Sequence, residues 1–340
     1  VTNTLIVAPA WIGDMVRIQP LVATLKAQNP NTQITVLAPK STLALAKRMP
    51  CVDALIEQPL GHGELNLALR YKLGKSLRNK HYTHAIVVPN SFKSALVPWW
   101  AKIKKRTGYL GEQRWLLLND IRRADKIKYP QLLAHYSALA LPKDSILPFP
   151  LPHPVLVTCN VNQKNCLNRL QLGITKQRIL ALCPGTAAGP AKCWPAEHFA
   201  QVAQYYLEQD WQVWLFAAAS DKNMTGKIQT LTGQRCVDLA GKTSLLDAVD
   251  LLAIAQMAIC NDTGVMHIAA AVNVPVVAIY GSSSSRYDQP LNRQHKTLQL
   301  AYDCIPCFKP ECRLGGNKHL RCLKNLTAAM VVNASESLLA

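Results

Sequence analysis

Short runs of consecutive apolar, often β-branched residues alternate along this chain with longer stretches whose apolar positions recur every three or four residues. Residues 4–9 (TLIVAP), 34–39 (ITVLAP) and 85–89 (AIVVP) show no inside–outside alternation, so they read as strands buried on both faces. Helical spacing separates or follows them near residues 15–28, 64–79 and 91–101. The pattern then resumes, with apolar runs at 179–183 (ILALC), 212–217 (QVWLFA), 257–260 (MAIC) and 275–280 (PVVAIY) and helical spacing near 195–208, 244–255 and 263–272. Strand–helix alternation twice over predicts two α/β domains, each with a doubly wound parallel sheet. Pro142, Pro148, Pro150, Pro152 and Pro154 are too dense for the interior of an element and mark the linker. The expected organisation is a first domain over 1–150, a second over 151–326, and a helix over 327–340 packing back on the first domain. Open α/β sheets bind ligands outside the carboxyl ends of their strands. Two such domains facing a cleft would each hold one ligand.

Charge changes this picture more than composition does. Of 340 residues, 38 are Lys or Arg and 20 are Asp or Glu, a net charge of +18, yet 49% are hydrophobic and only 17% charged. That balance excludes a disordered polycation. Residues 1–150 hold 21 basic and 8 acidic side chains, against 17 and 12 in the remainder. A basic half implies nucleic acid, an acidic membrane surface or a phosphorylated substrate as partner, or simply a solvated high-pI face. A membrane-spanning helix needs about 20 mostly apolar residues. The longest uncharged stretch, between Asp262 and Arg286, is interrupted by Gly264, His267, Asn273, Pro275 and four serines. The first cation is Arg17, so no basic leader precedes an apolar run and no secretory signal is expected. The eleven cysteines are then thiols or metal ligands before they are disulfides. The expectation is a cytoplasmic protein, soluble or peripheral.

Three loops carry candidate chemistry. The first strand ends in Pro9-Ala10-Trp11-Ile12-Gly13-Asp14, where Gly13 suits a tight strand-to-helix turn. Asp14, at the helix start, is either a base for a substrate hydroxyl or the helix cap, and position alone favours the cap. Neither GxGxxG nor GxxxxGK[ST] occurs. Residues 184–195 (PGTAAGPAKCWP) offer open backbone amides, the Thr186 hydroxyl and the Lys192 ammonium, which suit a phosphate cradle or an ordinary Gly/Pro-rich loop. Residues 261–271 (NDTGVMHIAAA) begin a helix directly after a strand, and its free N–H groups suit a diphosphate. His267 lies one turn beyond Thr263 and can point to the same mouth. Asp262 or Thr263 could equally cap the helix, and His267 could be a satisfied core histidine. Two phosphate-type loops in one domain favour the functional reading.

Cys304, Cys307, Cys312 and Cys322, with His319 nearby, approach a metal-knuckle spacing, but not a CxxC…CxxC pair. They read as packed thiols before metal ligands, and no metal is predicted. Residues 93–128 carry Lys93, Lys102, Lys104, Lys105, Arg106, Arg114, Arg122, Arg123, Lys126 and Lys128, interleaved with Trp99, Trp100, Tyr109 and Trp115. Basic plus aromatic fits nucleic acid, though no RRM, KH or helix-turn-helix signature accompanies it. An anionic glycolipid at a membrane surface fits the same composition.

Taken together, residues 8–15 (APAWIGDM), 60–63 (LGHG), 89–95 (PNSFKSA), 189–195 (GPAKCWP) and 261–271 resemble the lipopolysaccharide heptosyltransferases, glycosyltransferase family 9. The branch resembled most is the one that adds a second heptose to the inner core; sister enzymes adding heptose I or III are the alternatives. A polyanion- or RNA-binding protein with a non-catalytic α/β fold is a distant one. The resemblance implies a GT-B fold, with an acceptor-binding first domain and an ADP-heptose-binding second domain. It implies an inverting transfer of L-glycero-D-manno-heptose to a heptosyl-Kdo2-lipid A type acceptor at the inner face of the bacterial inner membrane. Asp14 would be the base and Lys192 would stabilise the leaving diphosphate. Thr186, Lys192, Asp221, Asp262, Thr263, Gly264 and His267 would line the donor site. Lys93, Arg106, Arg114, Arg122 and Arg123 would meet the acceptor. No cofactor, active-site metal or nucleic acid is implied. Cys193 stands where the family usually has Arg, Ala217 where Gly is more usual, and Ser282 where Pro is common.

Overall fold

The structure is a computed structural model that describes residues 2–60, 63–125, 127–147, 150–173 and 176–340. Gly61 and His62 of the 60–63 segment, Lys126 of the basic run and Pro148 of the linker lie outside the described residues. The chain divides into two compact units, Val1–Val155 and Leu156–Ala340.

In the first unit β1 (Asn3–Val7), β2 (Gln33–Pro39), β3 (Ala54–Gln58), β4 (His84–Val87), β5 (Lys105–Tyr109) and β6 (Asp120–Arg122) form one sheet in the order β3-β2-β1-β4-β5-β6. In the second, β7 (Ile179–Cys183), β8 (Gln212–Leu215), β9 (Val237–Asp238), β10 (Met257–Asn261), β11 (Val276–Ile279) and β12 (His295–Leu298) run β12-β11-β10-β7-β8-β9. Every pairing in both sheets is parallel. Counted within each unit the order is the same, so the direction in which strands are added reverses between β1 and β4 and again between β7 and β10. Loops leaving the carboxyl ends of those central strands open the crevice where such sheets bind ligands.

The central strands are the ones the apolar runs predict, because helices cover both faces: all five positions of β7 and of β10 are buried. The strands that pattern reading misses, β3, β5, β6, β9 and β12, lie toward the edges and are short or polar. In particular, β5 (KRTGY) and β6 (DIR) run through the basic segment. The second core joins Phe199, Val202 and Tyr206 to Leu326, Ala328 and Val331. The expectation that the last helix packs back on the first domain is therefore corrected. Ala328–Leu339 buries its apolar face against the helix Ala196–Leu207 and strands β11 and β12 of the second unit.

A polar chain crosses the edge of the first sheet. His84 Nε2 lies 2.7 Å from Thr107 Oγ1, and Thr107 donates to Asp120 Oδ2 at 2.8 Å, so the ring nitrogen is the donor. Burial, with Lys105 and Arg122 nearby and Asp120 opposing them, pulls His84 from 6.5 down to about 4. Burial works against the Asp120 carboxylate, but Arg122, Thr107 and Lys105 hold it at about 2. Between these two His84 values the unfolded chain binds the extra proton, so stability is complete above about 6.5 and is lost as pH falls toward about 4. Urea unfolding at about pH 5 should be weaker than at about pH 7 by roughly 2 kcal/mol through this group. His84→Gln should flatten that slope; an unchanged slope in the variant would remove His84 from the account.

Candidate functional site

In the first unit the helix Ile12–Arg17 starts directly after β1, with Trp11 at its N-cap and no side-chain capping bond. Gly13 is buried inside the helix, so the turn is made at Trp11 and not at the glycine. Asp14 sits in the first turn. It does not cap, which corrects the reading that position alone favours. Instead its Oδ1 accepts from Arg17 Nη1 at 2.5 Å and from the Tyr136 hydroxyl at 3.2 Å. Its side chain is 21% exposed. Both contacts fall on one carboxylate oxygen, so the group is held in a fixed orientation. Neither Arg17 nor Tyr136 is legible as a partner in the sequence: Tyr136 lies 122 residues away on the helix Leu132–Ser137.

Two of the five expected acceptor cations are corrected. Arg114 is 0% exposed, and its guanidinium bonds the backbone carbonyls of Tyr109 and Pro89, Asn90 Oδ1 and Ser94 Oγ. Burial pulls it down to about 10. Arg122 is buried against Asp120 and the Leu141 carbonyl. Arg106 is half-buried, its Nε and Nη1 donating to the Leu117 and Ile103 carbonyls. These arginines tie loops to the sheet, because a strand edge leaves carbonyls that need donors. Lys93 is half-buried and Arg123 exposed, and these two keep a surface position.

In the second unit the crevice is built from the loops after β7, β8, β10 and β11. Asn261 is fully buried at the end of β10, where its Nδ2 donates to the Pro184 carbonyl at 2.6 Å and its Oδ1 accepts from Trp194 N at 3.1 Å. That side chain locks the β7 loop onto the end of β10, a role no spacing announces. Trp194 Nε1 in turn donates to Leu326 O at 2.7 Å. The lock brings Lys192 to Asp262: Nζ lies 2.5 Å from Oδ2, and Ser283 Oγ donates to the same oxygen at 2.5 Å. Asp262 is 4% exposed. It caps nothing, and Thr263, which occupies the N-cap of the helix Gly264–Ala271, makes no capping bond either. Thr263 Oγ1 is buried without a hydrogen-bond partner, as is Ser282 Oγ. Buried hydroxyls are nearly always bonded, so an orphan one at a helix start with free amides suits an anionic ligand.

His267 is 3% exposed, and its Nε2 lies 3.1 Å from Asp288 Oδ1. Tyr280 OH fixes the Asp288 backbone carbonyl at 2.5 Å. Asp288 is therefore a further member that pattern reading passes over, since it lies in a loop without regular spacing. Asp262, His267 and Asp288 offer ligand atoms within 4.8 Å of one another. Lys192 already supplies a cation to Asp262, and Asp288 pairs with His267. Thr186 Oγ1 accepts from Ala188 N at 3.2 Å, shaping the loop after β7. Asp221 joins that loop to the one after β8. Burial pushes its carboxyl up, while backbone N–H bonds from Ala218 and Thr186 work the other way. A Cβ on Gly185 would lie 2.2 Å from Asp221 Oδ2, so the close approach requires glycine there. Ser282, where proline is common, donates its N–H to Ala191 O at 3.2 Å, a bond proline cannot make.

The glycosyltransferase family 9 (heptosyltransferase) model matches residues 70–318. The chain belongs to that family. The transferase is similar to lipooligosaccharide heptosyltransferase 2 of Haemophilus influenzae, 43% identical over 309 residues and 88% of each chain. It is similar also to lipopolysaccharide heptosyltransferase 2 of Escherichia coli, 42% identical over 305 residues and 87% of each chain. The solved structure of E. coli ADP-heptose LPS heptosyltransferase II aligns with a TM-score of 0.86 and 36% identity, covering 100% of this chain and 98% of that one. The transferase thus has the GT-B class of fold, two parallel α/β units.

Proposed function

We propose that this transferase moves L-glycero-D-manno-heptose from ADP-heptose onto the first heptose of the lipopolysaccharide inner core, inverting the anomeric carbon. The observation that carries the reading is a diphosphate-type crevice in the second unit of a chain whose relatives are named heptosyltransferase 2. Thr186, Lys192, Asp221, Asp262, Thr263, Gly264 and His267 line the donor site. The helix start at Thr263 and Gly264 presents its amides to the diphosphate, and the orphan Thr263 hydroxyl finds its partner there. Asp262, steadied by Lys192 and Ser283, has the acceptor capacity to bond sugar hydroxyls.

In the first unit Asp14 removes the proton from the acceptor hydroxyl. Arg17 and Tyr136 hold Oδ1, which leaves Oδ2 for that proton. The freed oxygen attacks the anomeric carbon, the bond to the diphosphate breaks, and ADP leaves. Lys192, His267 and the helix start stabilise the charge that grows on the leaving group, so no metal or cofactor is required. The acceptor is of the heptosyl-Kdo2-lipid A type. Lys93 and Arg123 remain available for its anionic groups, and Trp115, Leu116 and Ile127 are exposed on the same unit. No helix among the described residues is long and apolar enough to cross a membrane. Together these favour a peripheral place on the cytoplasmic face of the inner membrane, without nucleic acid as a partner.

Transfer from ADP-heptose to a panel of truncated core acceptors tests the reading. Product is expected only when a first heptose is present. Transfer to an acceptor lacking it would assign the chain to a sister activity instead.

A further inference from the structure

The loop that leaves β11 reaches the crevice of the second unit at two points. Ser283 donates to Asp262, which precedes the helix Gly264–Ala271, and Asp288 meets His267 within that helix, its Oδ1 3.1 Å from the ring Nε2. The proposed transfer uses Asp262 and His267 and gives Asp288 no role.

Asp288 is placed by bonds that do not involve the ring. Its N–H donates to Ser284 O at 3.1 Å. Its carbonyl accepts at 2.5 Å from the hydroxyl of Tyr280, a fully buried residue just past β11. The same loop is tied to the end of β12: Ser285 Oγ donates to Gln299 Oε1 at 2.9 Å, and Gln299 Nε2 donates to Ser283 O at 2.6 Å. The carboxylate therefore arrives on a braced loop, and the imidazole takes its orientation from Asp288 rather than the reverse.

That place carries a cost. Ligand atoms of Asp262, His267 and Asp288 all lie within 4.8 Å of one another, and carboxylates so close oppose each other's ionisation. Lys192 and Ser283 answer the charge of Asp262. Asp288 faces His267, which is 3% exposed, so what offsets the cost lies in the ring it holds.

A carboxylate only accepts, so the shared proton belongs to Nε2. We propose that Asp288 is a positioning residue for the transfer: by accepting that proton it fixes the plane and the tautomer of His267. The bond one ring nitrogen makes sets the state of the other. A ring already oriented meets the charge growing on the diphosphate without reorganising, which is what makes a fixed polar group effective in a transition state. The inference rests on the reading of His267 as a donor-site residue.

A double-variant cycle on the full chain tests it, read as kcat and KM for ADP-heptose, with thermal unfolding followed in parallel. Asp288→Ala should lower kcat about tenfold, the scale of coupling between residues in contact, with KM nearly unchanged because the contact matters in the transition state. His267→Gln should lower kcat at least as much, and adding Asp288→Ala to it should cost nothing further. Asp288→Asn keeps the side-chain volume and an oxygen for Nε2–H, so it should fall between wild type and alanine and show the same non-additivity. With nitrogen-15 labelled histidine, the ring signal that disappears in His267→Gln should report the Nε2–H tautomer in the wild type and should change in Asp288→Ala. Additive losses would overturn the positioning role while leaving His267 in the donor site, as would full kcat or an unchanged ring signal in Asp288→Ala. Full kcat and full ADP affinity in His267→Gln would instead remove His267 from the donor site, and the proposal with it, so the two failures are told apart.

Discussion

Asp14→Asn is expected to reduce heptosyl transfer by about 10²- to 10⁴-fold, the usual contribution of a positioned general base, while ADP affinity stays as in the wild type. Asparagine keeps the size of the side chain and an oxygen for the Arg17 and Tyr136 donors, so the helix start should survive. What it removes is the capacity to take a proton. ADP binding should not move, because every residue proposed to hold the nucleotide lies in the other compact unit. The measurements are single-turnover transfer and calorimetry with ADP on the same preparation. Near-normal turnover would sink the assignment of the base. A loss of ADP affinity would instead point to misfolding or to a donor-side role. Tyr136→Phe should cost far less, since Arg17 alone still orients Oδ1.

Lys192→Ala carries the second large effect, and it divides between binding and stability. The ammonium lies 2.5 Å from a carboxylate that is 4% exposed. Removing one member of such a pair leaves an uncompensated buried charge, which costs about 3–5 kcal/mol in the general case. Ser283 still donates to Asp262, and the Lys192 side chain is 23% exposed, so the lower end applies here. ADP affinity should fall about ten- to a hundredfold with the loss of a charge-assisted contact to phosphate. Transfer should fall further, because leaving-group charge is greatest in the transition state. The double variant Lys192→Ala, Asp262→Asn separates the two effects: it should recover thermal stability without recovering ADP affinity. Unchanged ADP binding in the single variant would take Lys192 out of the donor site.

The donor side was more legible in the sequence than the acceptor side. Lys192, Asp262, Thr263 and His267 sit at fixed short offsets after strands that are buried on both faces, so a local pattern locates them. The basic run over 93–128 misled because charge in a sequence does not say which way it points. Arg114 and Arg122 are buried and bond carbonyls and a carboxylate within their own unit. The edge strands β5 and β6 were hidden by the same residues, since an edge strand need not be apolar. Asp288, Arg17, Tyr136 and Ser283 were missed for another reason: each meets its partner through a contact that spacing does not encode.

By itself the sequence determined the α/β class, the two-part division, the central strands, and the loops that end them. These follow from local periodicity and from the need to bury apolar runs between helices. Only the tertiary structure decided what each polar group does. It turned Asp14 from a presumed cap into a carboxylate held by Arg17 and Tyr136. It turned Asp262 and Thr263 from alternative caps into an ion-paired carboxylate and a buried hydroxyl without a partner. It took Arg114 and Arg122 off the surface and set four half-buried thiols behind the Lys192 loop. The physical reason is the same throughout. Burial of apolar residues is non-directional and is written in local pattern, whereas a hydrogen bond or ion pair depends on distance and angle between groups that only the completed fold brings together.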